Sequence, residues 1–293
     1  LIHFTLLSLR YIFCIPRNSK IIVITPFTSS IITAILIRFF RGGKIWCHVQ
    51  DFEFDAAMQA FKLMWFKKAI FKMETFLFNR CDVVSTISNS MLKNLKTKTK
   101  TETTRVTNFF NAEIFDKPFS THPFFKASTK PNLLYSGNIG EKQDWNFFIE
   151  FCKQSQDEFN ITVVGDGAMS SHVKAELVNL NNVWFHNLVP FSELPQLLCS
   201  FDGHILFQKK EVINSVMPSK LIAMMLSGRP SFIFGNKNSE VKQIIDASSG
   251  GIYYSGQSQI EFVSKIKALI EDKKARTKAG KAAKKYAKTH YSE

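Results

Sequence analysis

The sequence predicts an α/β protein made of two Rossmann-like domains, each an open parallel sheet with helices wound on it. Three observations carry that expectation. Short apolar runs rich in β-branched residues alternate with helical stretches along the chain, the pattern of right-handed βαβ units. Most of these runs are continuous, as in strands buried on both faces of a parallel sheet. The length of 293 residues suits two domains of about 150 residues each. An apolar fraction of 45% beside a charged fraction of 21% supplies a sizeable core.

The strands are expected at 21–24, 44–49 and 83–87 in the first half, and at 132–136, 161–164, 183–185, 203–207 and 231–234 in the second. The first opens the most apolar stretch, 21–37, which Thr25, Pro26, Thr28, Ser29 and Ser30 interrupt. A membrane span needs about 20 mostly apolar residues, so this stretch reads as strand, turn and covering helix. Between 111 and 131 no clean period survives and Pro118 and Pro123 intervene, so a linker is expected there. The domains are then 1–122 and 123–275, followed by a basic C-terminal helix, 276–293. Ten Lys or Arg side chains lie between Lys265 and Lys288. Apolar residues at helical spacing among them read as a solvated amphipathic helix, with a nucleic-acid arm as the alternative. The basic run 92–105 has little to bury and reads as a mobile loop.

Charge and cysteine narrow the function classes. Lys plus Arg number 38 against 24 Asp plus Glu, a net charge of +14. An anionic partner follows: nucleotide phosphates, nucleic acid or an acidic membrane surface. No recognised nucleic-acid motif is present, so nucleic acid is not expected. Phe supplies 29 residues against 6 Tyr and 4 Trp, enough for a deep aromatic core or a surface that meets lipid. The five cysteines, Cys14, Cys47, Cys81, Cys152 and Cys199, are odd in number and lack C-x-x-C spacing. Neither a disulfide framework nor a zinc site is indicated, and a reduced cytoplasm is the default.

Three βα turns in the second half carry phosphate chemistry. In the run Leu133 to Lys142, LLYSGNIGEK, a strand enters a turn with Gly137, Asn138 and Gly140, then Lys142, then a helix from about Trp145. Glycine lets backbone approach an anion, and a helix start offers free N–H groups and the positive dipole end. Gly165, Asp166 and Gly167 end the next strand, either as a tight turn or as the wall of a ligand crevice. In the run from Met217 to Pro230, Pro218 suits the first helical position, Ser219 adds a hydroxyl, and Gly228 and Pro230 stop the helix. Lys220 in that first turn opposes the helix dipole, so a bound anion is the economical explanation. In the first half His48 follows a strand at its carboxyl edge, facing a crevice or packed. Asp51 stands close enough in sequence to orient it or to meet an acceptor.

These motifs, in this order, resemble glycosyltransferase family 4 of the GT-B fold, and within it the colanic-acid-type subgroup. The similarity lies in LLYSGNIGEKQ (133–143), VVGDG (163–167) and MPSKLIAMMLSGRP (217–230), with HVQD (48–51), CDVVSTISNSM (81–91) and VTNFFN (106–111) in the first half. The resemblance implies two Rossmann-like domains facing a cleft. It implies metal-independent, retaining transfer of a sugar from a nucleotide-diphosphate sugar, in bacterial surface polysaccharide synthesis. No cofactor is implied beyond the donor substrate, and no metal: there is no D-x-D motif and no ligand-spaced His, Cys and carboxylate cluster. Basic side chains stand in for the cation, so Lys142 and Lys220 are implied to stabilise the leaving diphosphate, while His48 faces the transferred sugar. Gly137, Asn138, Gly165, Asp166, Gly167, Pro218 and Ser219 are implied to hold the donor.

Two departures qualify this. The family's paired glutamates correspond here to Ser215 and Ala223; Glu211 is the carboxylate that could replace the first. The chain opens on Leu1, and its first clear strand matches a later family strand, so an incomplete first domain is expected. Both departures favour an alternative: a catalytically degenerate homologue that binds nucleotide sugar, or a partner glycosyltransferase, without turnover. Finally, the stretch 58–78 mixes Phe and Trp with lysines. It reads either as an interfacial helix on anionic lipid or as a helix buried against the first sheet. The resemblance favours lipid: a lipid-linked or oligosaccharide acceptor, and a cytoplasmic enzyme peripheral on the inner leaflet.

Overall fold

The computed structural model describes residues 7, 10–25, 29–52, 64–211 and 220–292. The chain divides into two compact units, Leu1–Asn108 with Asn214–Met217, and Phe109–Ile213 with Pro218–Glu293.

The first unit alternates strand and helix: β1 Lys20–Thr25, α1 Ser29–Arg41, β2 Lys44–Val49, α2 Met64–Phe78, β3 Val83–Thr86, α3 Asn89–Lys98 and β4 Glu102–Arg105. Its strands are parallel and ordered β1-β2-β3-β4, with His48 aligned to Ile24 on one side and Ser85 on the other. Right-handed crossovers that advance in one direction lay every helix on the same face of a sheet. Accordingly α1 touches α2, and α2 touches α3. Val23, Ile45, Cys47, Val49 and Val84 are buried. On the opposite side chain parity, Ile22 and Ile24 of edge strand β1 remain 58% and 57% exposed.

The stretch 92–105 is not a loop. Ser88 caps α3 by accepting the Met91 N–H at 3.2 Å, and the helix buries Met91, Leu95 and Lys98. Lys98 is drawn inside because its ammonium meets Glu74 Oε2 at 2.6 Å and lies 4.5 Å above the Phe52 ring. The polar run ETTR then forms β4, an edge strand that pairs on one side only with β3. Composition hid both elements: an ion pair and a ladder satisfy residues that look unable to pack.

The second unit contains β5 Asn132–Ser136, α4 Trp145–Gln154, β6 Asn160–Val164, α5 Ser170–Leu177, β7 Val183–His186, α6 Leu194–Ser200, β8 Gly203–Phe207, α7 Lys220–Leu226, β9 Ser231–Phe234, α8 Glu240–Ser248, β10 Gly251–Tyr254, α9 Gln259–Glu271 and α10 Lys273–Tyr291. The strand order β10-β9-β8-β5-β6-β7 reverses between β5 and β8, the point where a doubly wound sheet opens a crevice. Strand β10, missed in the sequence reading, is a four-residue edge strand beside β9. The phenylalanine surplus becomes core: Phe147 stacks on Phe234 at 3.6 Å, and Phe151 and Phe262 close around Phe207 at 5.3 and 6.3 Å. His204 of β8 is buried too. Its Nε2 contacts Ser227 Oγ at 2.9 Å, and burial lowers its pKa to about 3, so the ring is neutral at ordinary pH.

The division falls after Asn108, earlier than the expected boundary at 122. The Phe110 N–H donates to the Tyr291 carbonyl at 2.9 Å. The Lys284 ammonium donates to the Phe115 carbonyl at 2.9 Å, and Lys284 and Lys288 both pair with Asp116 at 3.0 and 2.6 Å. The supposed linker is thus stitched to α10. That basic helix begins at Lys273, where Asp272 caps it by accepting the Lys274 and Ala275 N–H groups at 2.9 Å, rather than at 276. Its inner stripe is small: Ala279, Gly280, Ala283 and Ala287. Among the described residues no helix is long and apolar enough to cross a membrane.

Candidate functional site

In the second unit a pocket of about 310 Å³ opens at the carboxyl ends of β5 and β6. Its polar corner is Ser136, Gly137 and Lys220, and its apolar wall includes Phe110, Leu188, Phe191, Leu194, Ala223 and Met224. An apolar cleft with a few converging polar groups is the usual form of a small-molecule site.

Lys220 is largely buried, and burial lowers its ammonium pKa to about 8. Its Nζ donates to the Tyr135 hydroxyl at 2.9 Å and sits 4.4 Å over that ring, a cation–π contact. Among the described residues no carboxylate pairs with it. The turn after β5 is shaped around it. Gly137 has φ +123°, and a Cβ there would lie 3.2 Å from Lys220 Nζ and 3.3 Å from its Cε. Absence of a side chain thus lets the lysine lie against the backbone.

The neighbouring glycines have a different cause. The Gly137 N–H donates to the Val164 carbonyl at 2.9 Å, the Ile139 N–H to the Asp166 carbonyl at 2.8 Å, and the Met169 N–H to the Ile139 carbonyl at 2.9 Å. These bonds zip the turn after β5 to the turn after β6. A Cβ on Gly165 would collide with the Gly137 carbonyl oxygen, and one on Gly167 would stand 2.6 Å from the Ile139 carbonyl. Gly165 and Gly167 are therefore explained by loop-on-loop packing. Asp166 is exposed and accepts the Gly167 N–H at 2.8 Å. That bond from the Gly167 amide lowers its pKa. Exposed Asn138 packs against Gly140, with Nδ2 2.8 Å from where a Cβ would be.

Other expected residues are dispersed. Lys142 stands outside the pocket lining, and its carbonyl accepts the Lys209 N–H at 3.2 Å. Glu211 is exposed in a turn. Pro218 and Ser219, with Ser215, lie outside the described residues. Ala223 does line the pocket, as methyl rather than carboxylate.

In the first unit His48 is 9% exposed, and burial lowers its pKa. Its Nδ1 lies 2.8 Å from Ser85 Oγ, and that oxygen accepts the Trp46 indole N–H at 2.7 Å. A hydroxyl has one proton to give. It also has two lone pairs, of which the indole N–H takes one, so the contact with His48 Nδ1 fits either neutral ring tautomer.

Sequence reasoning missed Tyr135, Ser85 and Trp46. Their only available signal was position: Tyr135 precedes the glycine turn, and Trp46 precedes His48 by two residues, so the pair shares one strand face.

The family model described as "Glycosyl transferases group 1" matches residues 116–286, more than half of the chain. WcaI of Escherichia coli (strain K12), whose name assigns it to colanic acid biosynthesis as a glycosyl transferase, is 28% identical over 234 residues, or 73% of this chain; the chain spans 57% of that relative's length. The fold is similar to sucrose-phosphate synthase from Thermosynechococcus elongatus, with TM-score 0.73 and 11% identity over 93% of this chain and 69% of that one. It is also similar to Anabaena HepE in complex with UDP and glucose, with TM-score 0.71 and 15% identity over 92% and 74% of the two chains. Such identities speak for the fold alone, GT-B. The family match covers the pocket-bearing unit from Asp116 to Tyr286, and on it the chain belongs to the group 1 glycosyl transferases.

Proposed function

We propose that the protein is a retaining, metal-independent glycosyltransferase. It would move a sugar from a nucleotide-diphosphate sugar to a glycan acceptor, lipid-linked or free, in surface polysaccharide synthesis. The observation that carries this reading is the Lys220 ammonium, drawn into a pocket without a carboxylate partner among the described residues and lying against the Gly137 backbone. A buried cation lacking an internal counter-ion favours an anionic ligand, because the ligand restores the stabilisation that desolvation removed. As the bond from the anomeric carbon to the diphosphate oxygen breaks, negative charge grows on that oxygen, and a fixed cation beside it lowers the barrier. The acceptor oxygen forms the new bond to the anomeric carbon, and its proton passes to the departing diphosphate. Lys142 is proposed as a second cation and His48 as a partner for a sugar hydroxyl. Gly137, Asn138, Pro218 and Ser219 would contact the donor, and the apolar wall suits a nucleobase.

Membrane association is supported by α2. Phe71, Met73 and Phe76 are 37%, 44% and 55% exposed, and Lys68 and Lys72 are exposed on the same helix. Apolar rings flanked by lysines suit an anionic lipid interface on the inner leaflet.

The decisive assay offers UDP-, GDP- and dTDP-sugars with polyprenyl-diphosphate-linked acceptors and reads product anomeric configuration by NMR. Turnover with retention is expected. Ala223 in the pocket wall favours a second reading, a homologue that binds donor without turnover; binding of a donor with no product across the panel would establish it. Flotation with and without anionic vesicles tests the membrane claim, and equal flotation on neutral vesicles would end it.

A further inference from the structure

We infer that Tyr135 is a positioning residue whose hydroxyl ties the Lys220 ammonium to the 137–140 turn, so that both address one anion. The inference rests on reading Lys220 as the cation for the donor diphosphate. A phenol offers one proton and two lone pairs. The Tyr135 proton goes to the Asn138 carbonyl at 2.8 Å, so its oxygen faces Lys220 as an acceptor, at 2.9 Å. The ring beneath, 4.4 Å from Nζ, restricts the ammonium from a second direction. One ammonium proton is thus used, and two remain for a ligand. The turn is braced from its other end by the Trp145 indole N–H, which donates to the Gly140 carbonyl at 2.7 Å.

Packing alone does not ask for this hydroxyl. Tyr135 is 0% exposed, between Trp145 and Phe148 at 5.1 and 6.2 Å between ring centres. Phenylalanine would fill that space without a polar atom to satisfy. The hydroxyl is explained by its two partners, one on the turn and one on α7. Among the described residues the groups beside the ammonium and along the pocket lining are otherwise uncharged: Tyr135 and Ser136 from β5, Gly137 from the turn, Leu188 and Leu194 from the β7–α6 segment, and Ala223 and Met224 from its own helix. The phenol oxygen, with the ring beneath it, then favours the charged form against the burial that lowers the lysine's pKa to about 8; Tyr135→Phe removes the oxygen and keeps the ring.

The test compares wild type, Tyr135→Phe and Lys220→Met. The Lys220 titration midpoint is read by NMR without ligand, and the affinities of UDP and of inorganic pyrophosphate are read by calorimetry from about pH 6 to about pH 9. In Tyr135→Phe the midpoint is expected to fall by about one pH unit. UDP affinity should stay within about threefold at about pH 6 and drop about fivefold at about pH 8, where a midpoint lowered by one unit takes the charged fraction from about one half to about one eleventh. An unchanged midpoint, or an equal loss of affinity at every pH, would overturn the inference. If Tyr135→Phe does not fold, 3-fluorotyrosine at position 135 keeps ring and hydroxyl while weakening the oxygen as an acceptor. A smaller downward shift of the midpoint then supports the inference, and no shift refutes it. If Lys220→Met leaves UDP and pyrophosphate affinity intact, the donor reading fails, while the ligand-free midpoint still decides the role of Tyr135.

Discussion

Lys98 in the first unit and Lys220 in the second are both drawn into the protein, and they are held in opposite ways. Lys98 meets Glu74 at 2.6 Å with side chains only 2% and 1% exposed; its charge is answered within the fold. Lys220 has a phenol and a glycine backbone beside it, and a pocket in front. The sheets differ in parallel. The order β1-β2-β3-β4 advances without a turn, whereas β10-β9-β8-β5-β6-β7 reverses beside β5. A reversal sends neighbouring loops to opposite faces and opens a crevice between them, and Lys220 follows β8 there. A buried charge that the fold has already neutralised reports on structure; one left for something else reports on function.

Breaking the internal pair gives the largest expected effect. Lys98→Met takes the ammonium at 2.6 Å away from buried Glu74 and should remove about 3–5 kcal/mol of stability, read by urea unfolding. Gly165→Ala attacks the second unit where the two turns touch. Overpacking against the Gly137 carbonyl should remove about 1–3 kcal/mol, and nucleoside diphosphate affinity should fall with it; an unchanged melting temperature would refute the loop-on-loop account. Lys220→Met should reverse the Lys98 result. Stability should hold or rise slightly, because a desolvated charge is gone, while UDP affinity falls by about 1.5–3 kcal/mol, the worth of a hydrogen bond to a charged group. Loss of stability with affinity intact would erase the contrast between the two lysines.

Two pH dependences sharpen the comparison at smaller amplitude. With Lys220 near 8, affinity for UDP should be flat below about pH 8 and fall as much as tenfold per unit above it, with proton uptake visible as buffer-dependent binding enthalpy. His204 acts on stability. Its native pKa is about 3 against about 6.5 unfolded, so between these values the unfolded chain holds a proton that the native chain does not. Stability should therefore fall as pH drops below about 6.5, by up to about 1.4 kcal/mol per unit. His204→Gln should flatten that slope by one proton in urea titrations at several pH values.

Much of the scaffold was legible. Strands at 44–49, 132–136, 203–207 and 231–234 coincide with β2, β5, β8 and β9, because each carries a short apolar run of strand length. Edge strands β4 and β10 were not legible, since ETTR and GIYY need satisfy one neighbour only, whereas edge strands β1 and β7 contain the expected 21–24 and 183–185. Within the site, Lys220 was legible because a lysine there opposes the helix dipole. The glycines were legible as turns but not in cause: Gly137 yields space to a lysine, while Gly165 and Gly167 yield it to backbone.

The amino-acid sequence by itself determined the α/β class, the βα order and the positions of the glycine turns, all of which follow from local periodicity and backbone permission. Tertiary structure alone decided that the chain divides at Asn108, that Lys98 is neutralised while Lys220 stands beside an open pocket, and that Tyr135 and Ser85 occupy the hydrogen-bonding positions next to Lys220 and His48. Partners such as Lys220 and Tyr135 are far apart in the chain and meet only when β5 and β8 become neighbours, a pairing of strands that no local pattern encodes.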